Sequence, residues 1–213
     1  MKSAIEAICR QLGLAATEVQ LARLADFLGQ LQRWNAIYNL TAVRDPAQML
    51  VQHLADCLAV LPALDRHCTA GRVLDVGSGG GLPGAVLAIM RPSLDVTCID
   101  AVGKKAAFVR QVAGQLGLPN LHAAHARVEQ LKAPPFDLVT ARAFASLPDL
   151  VRLTRPLLAA GGRWMAMKGR VPDDELAALP DDVEVFHVEP IQVPGLDAQR
   201  CLVWMRPRPA AAA

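Results

Sequence analysis

The chain is 213 residues long, 53% hydrophobic and 20% charged, with mean hydropathy +0.26. At about 150 residues per domain this is one compact domain with room for an appendage, and the apolar content excludes a disordered, collagenous or coiled-coil protein. The 22 Lys and Arg against 20 Asp and Glu leave only +2, but residues 71–170 hold 13 basic and six acidic side chains while residues 171–213 hold three and eight. The middle of the chain is therefore the part suited to meet an anion.

No apolar run is read as reaching the roughly 18–20 residues that cross a bilayer, and the amino terminus, with Glu6, Arg10 and Glu18, has no signal-peptide core. A soluble, cytoplasmic protein with no membrane partner is expected. Cys9, Cys57, Cys68, Cys98 and Cys201 are scattered without any two-residue spacing, which argues for reduced, buried thiols and against a zinc knuckle.

In chain order, residues 1–70 read as a helical extension. Thr17 with Gln20 forms a capping box, and Leu21, Leu24, Leu28 and Leu31 repeat on one face up to Trp34. Asp45 before Pro46 starts a second helix carrying Leu50, Leu54, Leu58 and Leu61. Between them, the segment from Trp34 to Thr41 is too polar at its Asn and Thr positions to be core alone. His53 and Asp56 share the second helix, and a hydrogen bond on the helix surface is the expected use of that pair.

From Arg72 to residue 206 the rhythm becomes strand, helix, strand, which means a parallel sheet. Strands are expected at 72–77, 95–100, 120–124, 136–141, 162–168, 183–191 and 200–206. Helices are expected near 83–91, 103–117 and 147–158, with a short acidic one at 173–179. Residues 207–213 read as a frayed tail.

The densest signal is the run from Val73 to Gly84, an apolar strand entering a turn with Gly77, Gly79, Gly80, Gly81 and Gly84 and then a helix opened by proline. Nineteen residues beyond Gly81, Asp100 ends the next strand, where a carboxylate can take both ribose hydroxyls of a nucleoside. The glycines also satisfy a dinucleotide fingerprint, but Asp75 immediately before the turn opposes a pyrophosphate. It suits a ligand with a cationic end, such as the ammonium and sulfonium of S-adenosylmethionine.

In these motifs the chain resembles the bacterial 16S ribosomal RNA guanine-N7 methyltransferases of the small-subunit methyltransferase G family, also called glucose-inhibited division protein B. The likeness rests on the segment from Trp34 to Pro46, the His53 to Asp56 turn and the loop Gly77 to Gly84. Asp100 with Lys104, Arg127-Val128-Glu129, the stretch from Arg142 through Phe144 to Leu147, and Lys168-Gly169 extend it. Cys57 and Ala101 depart from the family, where serine is common, without removing a charged contact.

The resemblance implies a class I S-adenosylmethionine-dependent methyltransferase fold. This is an α/β, Rossmann-like, mostly parallel seven-stranded sheet with its last strand antiparallel, behind an N-terminal helical extension. It implies S-adenosylmethionine as cofactor, 16S rRNA or the small ribosomal subunit as partner, and methylation of a guanine near the decoding centre. A monomer is expected, with no DNA partner.

For the cofactor, Gly77 and Leu82 are expected to line the cleft, Asp100 to hold the ribose, and Val128 and Glu129 to meet the adenine. Arg142 is expected to hold the donor carboxylate or the RNA. For substrate positioning, Arg142 and Lys168 follow from their places at strand ends, and Asn39 from the family likeness; capping is the commoner use of such an Asn. Phe144 is open between stacking on the base and core, and Lys104, Lys105 and Arg110 between a phosphate track and a solvated face. No metal is expected. Guanine N7 has a lone pair and no proton, so in-line placement suffices and no general base is needed. The competing readings are a donor-binding module without catalysis and a dinucleotide oxidoreductase, the latter without any visible acid or base for hydride chemistry.

Overall fold

A computed structural model of the chain describes residues 1–208. Seven strands form one sheet in the order β3-β2-β1-β4-β5-β7-β6. They are β1 Gly71–Val76, β2 Leu94–Asp100, β3 Leu121–His125, β4 Phe136–Arg142, β5 Leu158–Lys168, β6 Val183–Pro190 and β7 Cys201–Pro207. β1 to β5 pair in parallel, and β7 runs antiparallel to both β5 and β6. β1 lies between β2 and β4, so the chain reverses its direction of progress across the sheet there. The carboxyl ends of β1 and β4 flank the crevice where α/β sheets bind ligands.

The sheet carries an apolar layer on each face. On one side Val73, Val96, Leu138, Met165 and Trp204 pack with α6 (Gly84–Met90) and α7 (Gly103–Gln115), and above these with the amino-terminal helices α1 (Lys2–Gln11) and α2 (Glu18–Tyr38). On the other side Leu74, Val139, Trp164 and Val203 pack against α8 (Leu147–Thr154) and beside Leu176 of α9 (Asp173–Ala177). The front helices and the sheet therefore share a single core, running from Ile5 through Leu24 and Leu54 to Trp204.

α2 begins where Thr17 and Gln20 satisfy each other's backbone donors, and it ends at Asn39, which takes the left-handed conformation at φ 50°. The next helical run starts at Asp45, whose carboxylate caps Gln48 N–H at 2.8 Å. It continues as α3 (Pro46–Met49), a π-helical turn over Leu50–Ala55, α4 (Asp56–Leu58) and α5 (Leu61–His67). Pro62 supplies no backbone donor, so the run breaks at 59–60 before α5 can start.

Four expectations change. The helical run Pro46–His67 is 22 residues, and its most apolar 18-residue window has mean hydropathy 1.3, long and apolar enough by composition to cross a bilayer. Of its most apolar window, 67% is buried inside the protein, where it forms part of the core. α8 stops at Thr154 instead of 158, because Pro156 turns the chain into a 3-10 segment Arg155–Leu157. β5 then begins at Leu158, four residues early, with a register shift opposite Phe136 and Leu138. At the carboxyl end, Pro207 still belongs to β7 and Arg208 N–H donates to Asp182 O, so the expected fraying does not begin at 207. Residues 209–213 of that expected tail lie outside the described residues.

Removing the Thr17 side chain by Thr17→Ala leaves Gln20 N–H without its cap. The expected loss is about 1 kcal/mol of folding stability, read as a lower urea midpoint with an unchanged denaturant slope.

Candidate functional site

Two cavities open side by side at the carboxyl edge of the sheet and share Gly77 and Ala143. The larger, about 570 Å³, is a cleft between the sheet edge and the front helices. Its walls include Thr41, His53, Leu82, Arg142, Lys168 and Arg200. The smaller, about 420 Å³, lies over the ends of β2 and β4 among Ile99, Asp100, Val128, Glu129 and Phe144.

The turn after β1 makes the passage between them. Gly77 and Gly79 take φ of 65° and 57°, where a side chain is strained, and a Cβ at Gly77 would run into the Phe144 ring. At Gly79 nothing lies within 4 Å of such a Cβ, so that side of the turn is open. Asp100 holds the turn from beneath: its Oδ2 accepts Gly79 N–H at 3.0 Å and its Oδ1 accepts Val102 N–H at 2.8 Å. Each oxygen keeps a further lone pair for a ligand hydroxyl.

Asp75, expected to face a cation in the ligand, is instead wholly covered. Its Oδ2 accepts Gly84 N–H at 2.7 Å at the start of α6, and its Oδ1 has no hydrogen-bond partner. Burial pushes its carboxyl up to about 7, against the lowering effects of the Gly84 hydrogen bond and of Arg142. Asp75 thus organises the turn from inside the core and does not line either cavity.

The floor of the cleft is an ion cluster. Asp56, only 3% exposed in its side chain, accepts Arg142 Nη1 at 3.1 Å and Arg200 Nε at 2.9 Å. Arg142 also donates to Gln52 O at 3.2 Å. These contacts tie the π-helical turn and the start of α4 to the end of β4 and to the loop just before β7. His53 does not bond Asp56 as expected. π-helical winding is wider than α-helical, so residues three apart no longer stack on a common surface stripe. His53 is buried, its Nε2 lies 2.7 Å from Thr41 Oγ1, and burial with the nearby charge of Arg142 pushes its pKa down, leaving it neutral.

Asn35, marked in the sequence only as part of a segment too polar for core, fixes the opposite wall. Its Oδ1 accepts Thr41 N–H at 2.8 Å and its Nδ2 donates to Val43 O at 2.9 Å.

The family model described as rRNA small subunit methyltransferase G matches residues 20–203. The chain belongs to that family. It is 61% identical over 202 residues to Ribosomal RNA small subunit methyltransferase G of Leptothrix cholodnii, covering 94% of this chain and 93% of the relative. To the protein of that name from Paracidovorax citrulli it is 54% identical, covering all of this chain and 93% of the other.

Among solved structures, the N-methyltransferase NodS from Bradyrhizobium japonicum in complex with S-adenosyl-L-homocysteine superposes with TM-score 0.59 at 14% identity. The match covers 83% of this chain and 98% of that one. TrmN from Thermus thermophilus gives 0.58 at 21% identity, over 71% and 48%. The fold is that of the class I S-adenosylmethionine-dependent methyltransferases.

Within this family member, the structure gathers most of the residues singled out from sequence around the two cavities. Gly77 lines both, Leu82, Arg142 and Lys168 line the cleft, and Asp100, Val128 and Glu129 line the smaller cavity. Lys168 Nζ donates to Glu175 Oε2 at 2.7 Å and to Ala145 O at 3.1 Å. Asn39 is exposed and accepts Arg44 Nη2 at 3.1 Å, one residue before the cleft wall begins at Leu40. Phe144 packs against the glycine turn and walls the smaller cavity, apart from the cleft.

Arg200 was missed: an isolated basic residue ahead of an apolar strand carries no pattern. Asp56 was misread as surface, although a carboxylate amid the apolar run from Leu54 to Leu61 was the available signal.

Asp75 titrates with a folded pKa raised above its ordinary 3.8. Its contribution to stability is therefore full at acid pH and is lost as pH rises through about 7. Asp75→Asn, which cannot ionise, is expected to flatten the decline in stability between pH 4 and 7 in denaturant titrations.

Proposed function

We propose that the protein transfers a methyl group from S-adenosylmethionine to N7 of a guanine in the decoding-region loop of 16S ribosomal RNA. The observation that carries this reading is the pair of cavities joined at Gly77, of nucleoside and base size, in a chain that belongs to this methyltransferase family. The residues present suit the donor. Apolar Ile99 and Val128 can sandwich a purine, Asp100 retains acceptor capacity for ribose hydroxyls, and Glu129 stands at the same cavity for the adenine amino group. When bound, S-adenosylmethionine supplies a methyl group on a positively charged sulfur.

The chain's own task is then placement. Gly77 and Leu82 leave room for the methionine portion to pass from one cavity to the other, and Arg142 is placed to hold its carboxylate. Lys168 is assigned to the guanine carbonyl oxygen in the same cleft, and Asn39 to an RNA contact at the rim. Guanine N7 brings a lone pair and loses no proton, so the cleft requires no general base, and a neutral His53 is compatible with that. The RNA partner places the protein in the bacterial cytoplasm, and a monomer is sufficient because both cavities are walled by one chain.

The test is incubation with methyl-labelled S-adenosylmethionine and small ribosomal subunits from cells lacking the modification, followed by strand cleavage chemistry selective for N7-methylguanine. Label at one guanine, cleaved by that chemistry, is the expected result. Donor binding without label on subunits, precursor particles or naked RNA would leave a binding module instead.

Arg142→Ala is expected to lower transfer about 100-fold while the protein stays folded, since Asp56 keeps Arg200; single-turnover rates and circular dichroism check both parts. Asp100→Ala is expected to weaken donor binding about 10- to 100-fold, read by calorimetry, as the loss of hydrogen bonds to a charged group.

A further inference from the structure

Beyond the cleft, the same edge of the sheet carries a third cavity of about 780 Å³, within the range of about 300–1,000 Å³ typical of ligand sites. One side is the segment after β5, with Arg170 and Val171. The other is the loop joining β6 to β7, with Ile191, Gln192 and Gln199. Gly169 and Arg200 belong to both this groove and the cleft, so the two are continuous.

Resting on the proposed function, we propose that this groove takes the RNA strand next to the target guanine, with Arg170 meeting a backbone phosphate. A base in the cleft remains attached to its strand, and the strand must leave by a path along the protein. Toward β2 the exit leads into the smaller cavity, which the donor's nucleoside occupies in the proposed reaction. The groove is the continuous path on the other side.

The charges agree with that direction. Arg142 and Arg200 already face Asp56, and Lys168 faces Glu175, so these cations are committed to the cleft. Arg170 is exposed and, among the described residues, has neither a hydrogen-bond nor an ion-pair partner, so its guanidinium is available to a phosphate. Among the described residues, Asp197 is the one carboxylate lining the groove. Val171, 42% exposed, and Ile191 offer apolar surface on which a neighbouring base can lie, while the amides of Gln192 and Gln199 supply donors and acceptors for sugar or base edges.

The experiment measures binding of protein-free 16S rRNA and of intact small subunits over a range of salt, for the wild type, Arg170→Glu and Arg170→Lys, alongside donor affinity. Arg170→Glu is expected to weaken RNA binding about tenfold and to reduce the slope of log affinity against log salt by about one, with donor affinity kept; Arg170→Lys should stay near wild type. Unchanged affinity and slope for Arg170→Glu overturns the proposal. A loss seen with intact subunits but absent with protein-free RNA also overturns it, because the groove would then meet a ribosomal protein. Since binding is read apart from methylation, a wild type that binds RNA yet labels no N7 position would count against the proposed function and leave the groove decided by the Arg170 result.

Discussion

A carboxylate almost closed off from water keeps its charge only where positive charge matches it, and Asp56 is matched twice, by Arg142 from the end of β4 and by Arg200 from the loop just before β7. With either arginine gone the other still faces Asp56, whereas losing Asp56 leaves both guanidiniums without their carboxylate, a kind of change that typically costs about 3–5 kcal/mol. The contact therefore acts as a constraint on three segments far apart in the chain. It brings the π-helical turn of the front helices down onto the sheet edge, and that approach encloses the cleft. With one acid and two bases, the cluster also leaves net positive charge on the cleft floor, where an anionic substrate or a ligand carboxylate would sit.

The glycine turn obeys a second constraint of the same kind. Asp75 and Asp100 lie at the ends of neighbouring strands and differ in what surrounds them. Asp100 keeps a small exposed area and spends its charge on Gly79 and Val102 N–H groups at the cavity wall. Asp75 has no exposure, and its single backbone partner at Gly84 does not offset the loss of water, which is why its carboxyl is pushed up to about 7. One acid thus serves the turn from within the core, and the other stands where a ribose can reach it.

The helices ahead of the sheet do more than cover an apolar face. Asn39 in its left-handed conformation ends α2, Asn35 ties down Thr41 and Val43, and Thr41 holds His53. The segment from Trp34 to Thr41, expected between two helices, is the end of α2 as far as Tyr38, and the chain from Leu40 onward becomes the outer wall of the cleft through these bonds. Its asparagines divide the work: Asn35 is buried and structural, and Asn39 lies at the rim.

The order of strands and helices was legible because apolar runs of strand length alternate with capped amphipathic segments, and the parallel sheet follows from that alternation. The glycine turn and Asp100 were legible because backbone conformation and spacing along one βαβ unit are local properties. The helix end at Thr154 came four residues earlier than expected and the second helix is broken at 59–60, where prolines acted through backbone hydrogen bonding that the apolar repeat does not record. The identity of the residues under the cleft was decided only by tertiary structure. Asp56, Arg142 and Arg200 are separated by dozens of residues, and nothing local says that a carboxylate in one helix will be buried against guanidiniums from a strand and a loop. Burial depends on which surfaces meet, and so do Asp75's covered position and the partners of Lys168; that is a property of the folded chain and not of any stretch of its sequence.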